Sequence, residues 1–165
     1  MSKAVKKAWI RNTCRIINDR GSGTGFFLKD ESKRRIYLVT NKHIIHPCKK
    51  ERNKIREIKL DINVIDNNGL TKRDEILFSF DDISYREHKD PDTDVYILDV
   101  TMMFISLKQY NIKPNHFAAP VDYLLTNDTM RKNEIKITDE VFLIGYPSTN
   151  NLQHHTTNFP FVRQV

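Results

Sequence analysis

Two side chains in this sequence combine the residue type and position that proton-transfer chemistry needs. His43 closes the run Ile36-Tyr37-Leu38-Val39-Thr40-Asn41-Lys42-His43, where an apolar strand gives way to polar residues. Asp94 stands directly before Val95-Tyr96-Ile97-Leu98, a second compact apolar strand, with Asp92 as the fallback. An imidazole accepts and returns a proton near neutral pH, and a neighbouring carboxylate can select its tautomer. Each residue alone is ordinary. A histidine after a strand is more often a loop or core residue, and an aspartate before one is more often a turn residue. His43, His46 and Cys48 also invite a metal reading, with His154 and His155 far off. Zinc needs three or four convergent ligands, and His-x-x-His-x-Cys with no second local pair is a poor match. His88 and His116 fall in polar or connector segments, where solvated side chains are expected.

Short strands must position these residues. Gly21-Ser22-Gly23-Thr24-Gly25 is a glycine-rich stretch that permits φ > 0 and close backbone approach. Phe26-Phe27-Leu28 follows as a buried-type run, and Lys29 to Arg35 reads as a polar hairpin tip before Ile36 returns. Ala8 to Ile17 reads as a preceding strand. Lys42 to His46 reads as one helical turn stopped near Pro47. Ile55 to Asp66 places Ile58, Leu60, Ile62 and Val64 on one face, as a half-buried strand does. Asp66-Asn67-Asn68-Gly69 is a strong hairpin turn, since Asn-Gly readily takes φ > 0. A weaker strand returns from Leu70 toward Phe80, Asp81 to Asp92 reads as a loop, and Val95 to Val100 is a strand. Six strands in the first hundred residues predict a small closed antiparallel barrel, because closure removes unpaired edges. Beyond it, Met102 to Tyr110 suits a short helix and Asn111 to Pro120 a connector. Glu140 to Pro147 suits a buried strand, and Phe159 to Arg163 the start of another.

The stretch Gly23-Thr24-Gly25-Phe26, then Leu38-Val39-Thr40-Asn41-Lys42-His43-Ile44, resembles the first half of the trypsin-like serine peptidases. In that family the catalytic histidine follows such a strand. The triad aspartate precedes a short apolar strand, as Asp94 does here about fifty residues after His43. Tyr96 stands where the family usually has a small residue. Asp139-Glu140-Val141-Phe142-Leu143-Ile144-Gly145-Tyr146-Pro147 is similar to a strand early in the family's second barrel, departing at the start, where a glycine is usual. The resemblance implies that His43 is the base and Asp94 its orienting partner. A serine hydroxyl is a weak nucleophile at neutral pH; a neutral imidazole must take its proton, and a buried carboxylate must stabilise the imidazolium. The family's nucleophile lies in a glycine-framed serine motif that this sequence lacks. Ser148, Thr149, Thr156 and Thr157 follow Gly145 without flanking glycines to supply an oxyanion hole.

The expected architecture is therefore all-β: a complete N-terminal trypsin-like barrel over residues 1–112, then a connector and an incomplete second barrel over 113–165. The function implied is serine endopeptidase activity on polypeptide substrates, with no cofactor or metal. This chain would carry the histidine and aspartate without the serine, as a fragment of a longer peptidase and inactive as it stands. The alternative is a non-catalytic barrel module that binds a protein or nucleic acid. Charge bears on that alternative: residues 1–56 hold 16 Lys/Arg against 4 Asp/Glu, and the remainder 11 against 17. A basic half could favour nucleic acid, yet its cations are scattered over several elements, and a solvated surface is the favoured reading. An unfinished second barrel would leave strand edges open and favour self-association or lower order beyond about residue 115. No apolar run approaches the roughly 18 residues of a membrane span, and no signal-peptide pattern follows the basic N-terminus. A cytoplasmic location is expected, with Cys14 and Cys48 as reduced thiols.

Overall fold

The computed structural model describes residues 9–18, 21–45, 57–79, 83–135, 142–146 and 161–164. The protein is mostly antiparallel sheet. Strands β1 (Thr13–Asn18), β2 (Gly21–Asp30) and β3 (Arg35–Thr40) form a meander. Next come β4 (Glu57–Ile65), β5 (Thr71–Ser79), β6 (Tyr85–Glu87) and β7 (Tyr96–Asp99). They pair in the order β5-β4-β1-β2-β3-β7-β6. Two short strands reinforce this sheet: β8 (Lys113–Pro114) pairs with β4 and β9 (Ala119–Pro120) with β2. A separate two-stranded sheet joins β10 (Phe142–Gly145) to β11 (Phe161–Gln164).

The two edge strands, β5 and β6, are consecutive in the chain. Six residue steps separate Ser79 from Tyr85, a reach of at most about 22 Å. A flat sheet of seven strands would part its edges by about 29 Å. The sheet must therefore curl, although its hydrogen-bonded path stays open between β5 and β6 among the described residues. One core fills the concave side. Cys14, Ile16, Phe27, Leu38, Ile58, Leu60, Ile62, Val64, Phe78, Tyr96 and Leu98 come from six strands, and Phe104 and Leu107 from the helix Thr101–Gln109. The predicted alternation of β4 is realised, with Ile58, Leu60, Ile62 and Val64 all buried. Leu28, Val39 and Ala119 form a smaller apolar layer on the opposite face, against which Trp9 and Phe117 pack.

Several local expectations change. The first strand begins only at Thr13, after a helical turn at 9–12 that turns Asn12 inward. The Asn12 carboxamide oxygen accepts the Phe27 N–H at 3.0 Å, which makes a 2 % exposed polar side chain tolerable. β6 lies inside the stretch expected to be loop, because Tyr85-Arg86-Glu87 is short and shows no apolar alternation. The helix Asn127–Lys132 was not foreseen. It starts on a reciprocal capping box between Thr126 and Thr129, a threonine variant of a pattern usually recognised by a glutamate. The 66–69 turn forms as expected, with Gly69 at φ +77° and the Asp66 carboxylate accepting the Asn68 and Leu70 N–H groups.

Candidate functional site

Antiparallel register places the site. Thr40 at the end of β3 pairs with Tyr96 at the start of β7. His43 lies three residues beyond Thr40 and Asp94 two residues before Tyr96, so both emerge at the same end of the strand pair. The chain turns sharply after Thr40 into the helical turn Lys42–Ile45. Ile45 is fully buried and anchors that turn in the core. The Asn18 carboxamide donates to the Ile44 carbonyl at 2.6 Å, tying the turn to the end of β1.

The two candidates meet twice. His43 Nδ1 bonds Asp94 Oδ2, and the His43 backbone N–H donates to Asp94 Oδ1 at 3.1 Å. A carboxylate held by both the ring and the backbone of one histidine fixes the ring's position and its Nδ1–H tautomer together. Partial burial pushes the Asp94 carboxyl up, but the His43 ring and then the His43 N–H outweigh it and hold it below the usual carboxylate value. Both His43 bonds go to Asp94, not to the fallback Asp92, whose backbone N–H donates to Asp90 Oδ1 at 2.9 Å within the loop.

Two neighbours whose roles the sequence did not suggest clasp the aspartate loop. Asn41 Nδ2 donates to the Asp94 carbonyl at 3.0 Å. Lys42 Nζ donates to the His88 and Asp90 carbonyls, each at 2.9 Å. Asn41, Lys42 and His43 are consecutive, so three successive side chains grip 88–94 from one turn. The motif Thr-Asn-x-His contained this signal, but only the register shows what the asparagine faces. Tyr96 points inward, is 1 % exposed and stacks on Tyr85 at 5.4 Å.

The dyad is open. The His43 and Asp94 side chains are 63 % and 41 % exposed. Among the described residues no hydroxyl or thiol stands in hydrogen-bond contact with His43. Ser148, Thr149, Thr156 and Thr157 lie outside the described residues, as do His46, Cys48, His154 and His155. Among the described residues no three metal-ligating side chains converge. Cys14 is a free core thiol whose ionisation burial pushes far up, which makes it inert as a nucleophile.

A second polar cluster lies on the convex side of the sheet. Arg73 Nε on β5 pairs with Asp61 on β4 at 2.9 Å. The same guanidinium donates to the Tyr146 hydroxyl at 2.6 Å and sits 5.1 Å from the centre of that ring. The Tyr146 N–H donates to Thr24 Oγ1 at 2.6 Å. These contacts seat the residue after β10 on the glycine-rich strand. His116 belongs to the core boundary instead of solvent, contrary to expectation. Its ring lies edge-on to Phe27, with centroids 4.8 Å apart, and both ring nitrogens are bonded to backbone. Comparison of the chain with family models, curated proteins and solved structures finds no match.

Proposed function

We propose that the protein is built as a serine endopeptidase of the trypsin-like type, with His43 as general base and Asp94 as its orienting carboxylate. The single observation that carries the reading is the double bond of Asp94 to His43, through Nδ1 and through the backbone N–H. With Nδ1–H committed to Asp94, the other ring nitrogen is left as the acceptor on a side chain that is 63 % exposed. It would take the proton of a serine hydroxyl as that oxygen attacks a peptide carbonyl. It would then return the proton to the leaving amine. The curled antiparallel sheet, read as the N-terminal barrel, supports this assignment by bringing His43 and Asp94 to one end of the β3–β7 pair.

The nucleophile is no part of the described site, so the test concerns protein expressed from its complete reading frame. A fluorophosphonate probe is expected to label one serine, and His43→Ala is expected to abolish labelling. An unlabelled, folded protein that binds nucleic acid in a salt-dependent manner would replace this reading with that of a barrel-shaped binding module.

A further inference from the structure

Residues 113–120 run as a strap across the sheet. β8 pairs with β4 at one end of the strap and β9 with β2 at the other. His116 sits between these pairings and makes the joining bonds. Asn63 N–H on β4 donates to His116 Nε2 at 2.9 Å. His116 Nδ1 lies 2.8 Å from the Arg11 carbonyl. A backbone N–H can only donate and a carbonyl can only accept, so this arrangement demands one state: neutral imidazole with the proton on Nδ1. A proton on Nε2 would face the Asn63 N–H donor and break that bond.

We infer that His116 is an acid-sensitive latch that holds the 113–120 strap on the sheet when neutral and releases it when protonated. Groups from several elements bear on the ring. β2 supplies the Phe27 ring, and the helical turn at 9–12 supplies the Arg11 carbonyl. β5 supplies the Arg73 guanidinium, whose charge opposes a second cation, and on β4 Asp61 is engaged by Arg73. Burial first, and then Arg73, hold the imidazole down to about 4, against the Arg11 carbonyl, which favours the charged ring. A depressed histidine contributes stability that is complete above about 6.5 and is lost as pH falls toward the folded value. Linkage between those limits predicts that strap opening rises about twentyfold from pH 7 to pH 5.

Hydrogen exchange on the full chain, corrected for intrinsic rates, tests the latch at the Asn63, Asn115 and Phe117 amides. Asn115 N–H bonds the Asn63 carbonyl at 2.7 Å and Phe117 N–H the Arg11 carbonyl at 3.2 Å, so both report the strap. About twentyfold faster opening at pH 5, confined to these amides, is expected. In His116→Gln, which keeps an acceptor but cannot titrate, the change should fall below about twofold. Equal acceleration in the variant, or opening shared by the Leu60 and Leu98 amides, would overturn the inference. Should the variant not fold, nitrogen-15 spectra of the wild-type protein decide: an Nδ1–H tautomer whose protonation coincides with displacement of the Asn63, Asn115 and Phe117 amide signals supports the latch, and protonation that leaves those amides unmoved refutes it.

Discussion

Gly23→Ala is expected to disturb the histidine turn by direct contact with Ile44. Gly23 has no special backbone angle to protect; among the described glycines only Gly21 and Gly69 have positive φ. Its role is space. A Cβ built at Gly23 would lie 2.6 Å from Ile44 Cγ1 and 3.1 Å from Ile44 Cγ2, well inside contact distance. Ile44 is β-branched and cannot swing away cheaply about χ1, and it neighbours His43. Overpacking of this kind costs about 1–3 kcal/mol. Against that, the alanine removes about 0.4–1 kcal/mol of unfolded-state entropy. Mid-range values leave a net loss of about 1–2 kcal/mol, a fall of about 2–8 °C in Tm for a chain of this size. Urea denaturation reads the first effect. The His43 imidazole NMR signals read the second, since the turn must move to admit the methyl. Ile44→Ala in the Gly23→Ala background should cost less than Ile44→Ala alone, because the clash is relieved. A loss below about 0.5 kcal/mol with unmoved His43 signals would refute the argument that glycine is required there for space.

Acid should destabilise the fold in a second window below that of His116. At Asp99, partial burial pushes the carboxyl up, but bonds from the Thr101 hydroxyl and from Arg35 outweigh it and lower it. With Asp94 lowered too, the unfolded chain takes up these protons first, so stability is complete above about 4 and declines as pH falls below it. Asp99→Asn should flatten the stability–pH slope between pH 4 and 2, and an unchanged slope would exclude Asp99 as a contributor. Asp61, raised by burial, acts with the opposite sign and makes a poorer probe. Arg73→Met should cost about 2–3 kcal/mol, below the usual penalty for breaking a buried pair, because Asp61 can take up a proton. Asp61→Asn added to Arg73→Met should recover part of that loss in denaturant melts. Full additivity of the two substitutions would contradict the pairing.

Much of the local architecture was legible because strand periodicity and turn chemistry act locally. The alternation of Ile58 to Val64 and the turn at Asp66–Gly69 each specify their own conformation. What stayed hidden was non-local. Gly23 and Gly25 read as conformational glycines, yet each makes room for a core side chain: Ile44 for one, Leu38 and Ile16 for the other. His116 read as solvated because the connector has a polar composition. Only its pairing across β4 and β2 puts the ring against Phe27. The sheet order explains why closure was overestimated: β6 supplies only three residues at the edge, too few to pair the length of β5. His43 and Asp94 were singled out as a pair because the motifs around them resemble those of the trypsin-like peptidases, and the register of β3 and β7 brings the two side chains into contact. The clasp by Asn41 and Lys42 depends on the 88–94 loop, whose path no sequence pattern encodes.

The central claim is that Asp94, and not Asp92, orients His43 for proton transfer to and from a serine. Its most direct test is the rate of fluorophosphonate labelling in protein from the complete reading frame, compared across Asp94→Asn and Asp92→Asn. Loss of the orienting carboxylate should slow the reaction by about 10⁴-fold in Asp94→Asn, with Asp92→Asn close to wild type. Labelling of Asp94→Asn at the wild-type rate, or the loss falling on Asp92→Asn instead, would contradict the assignment.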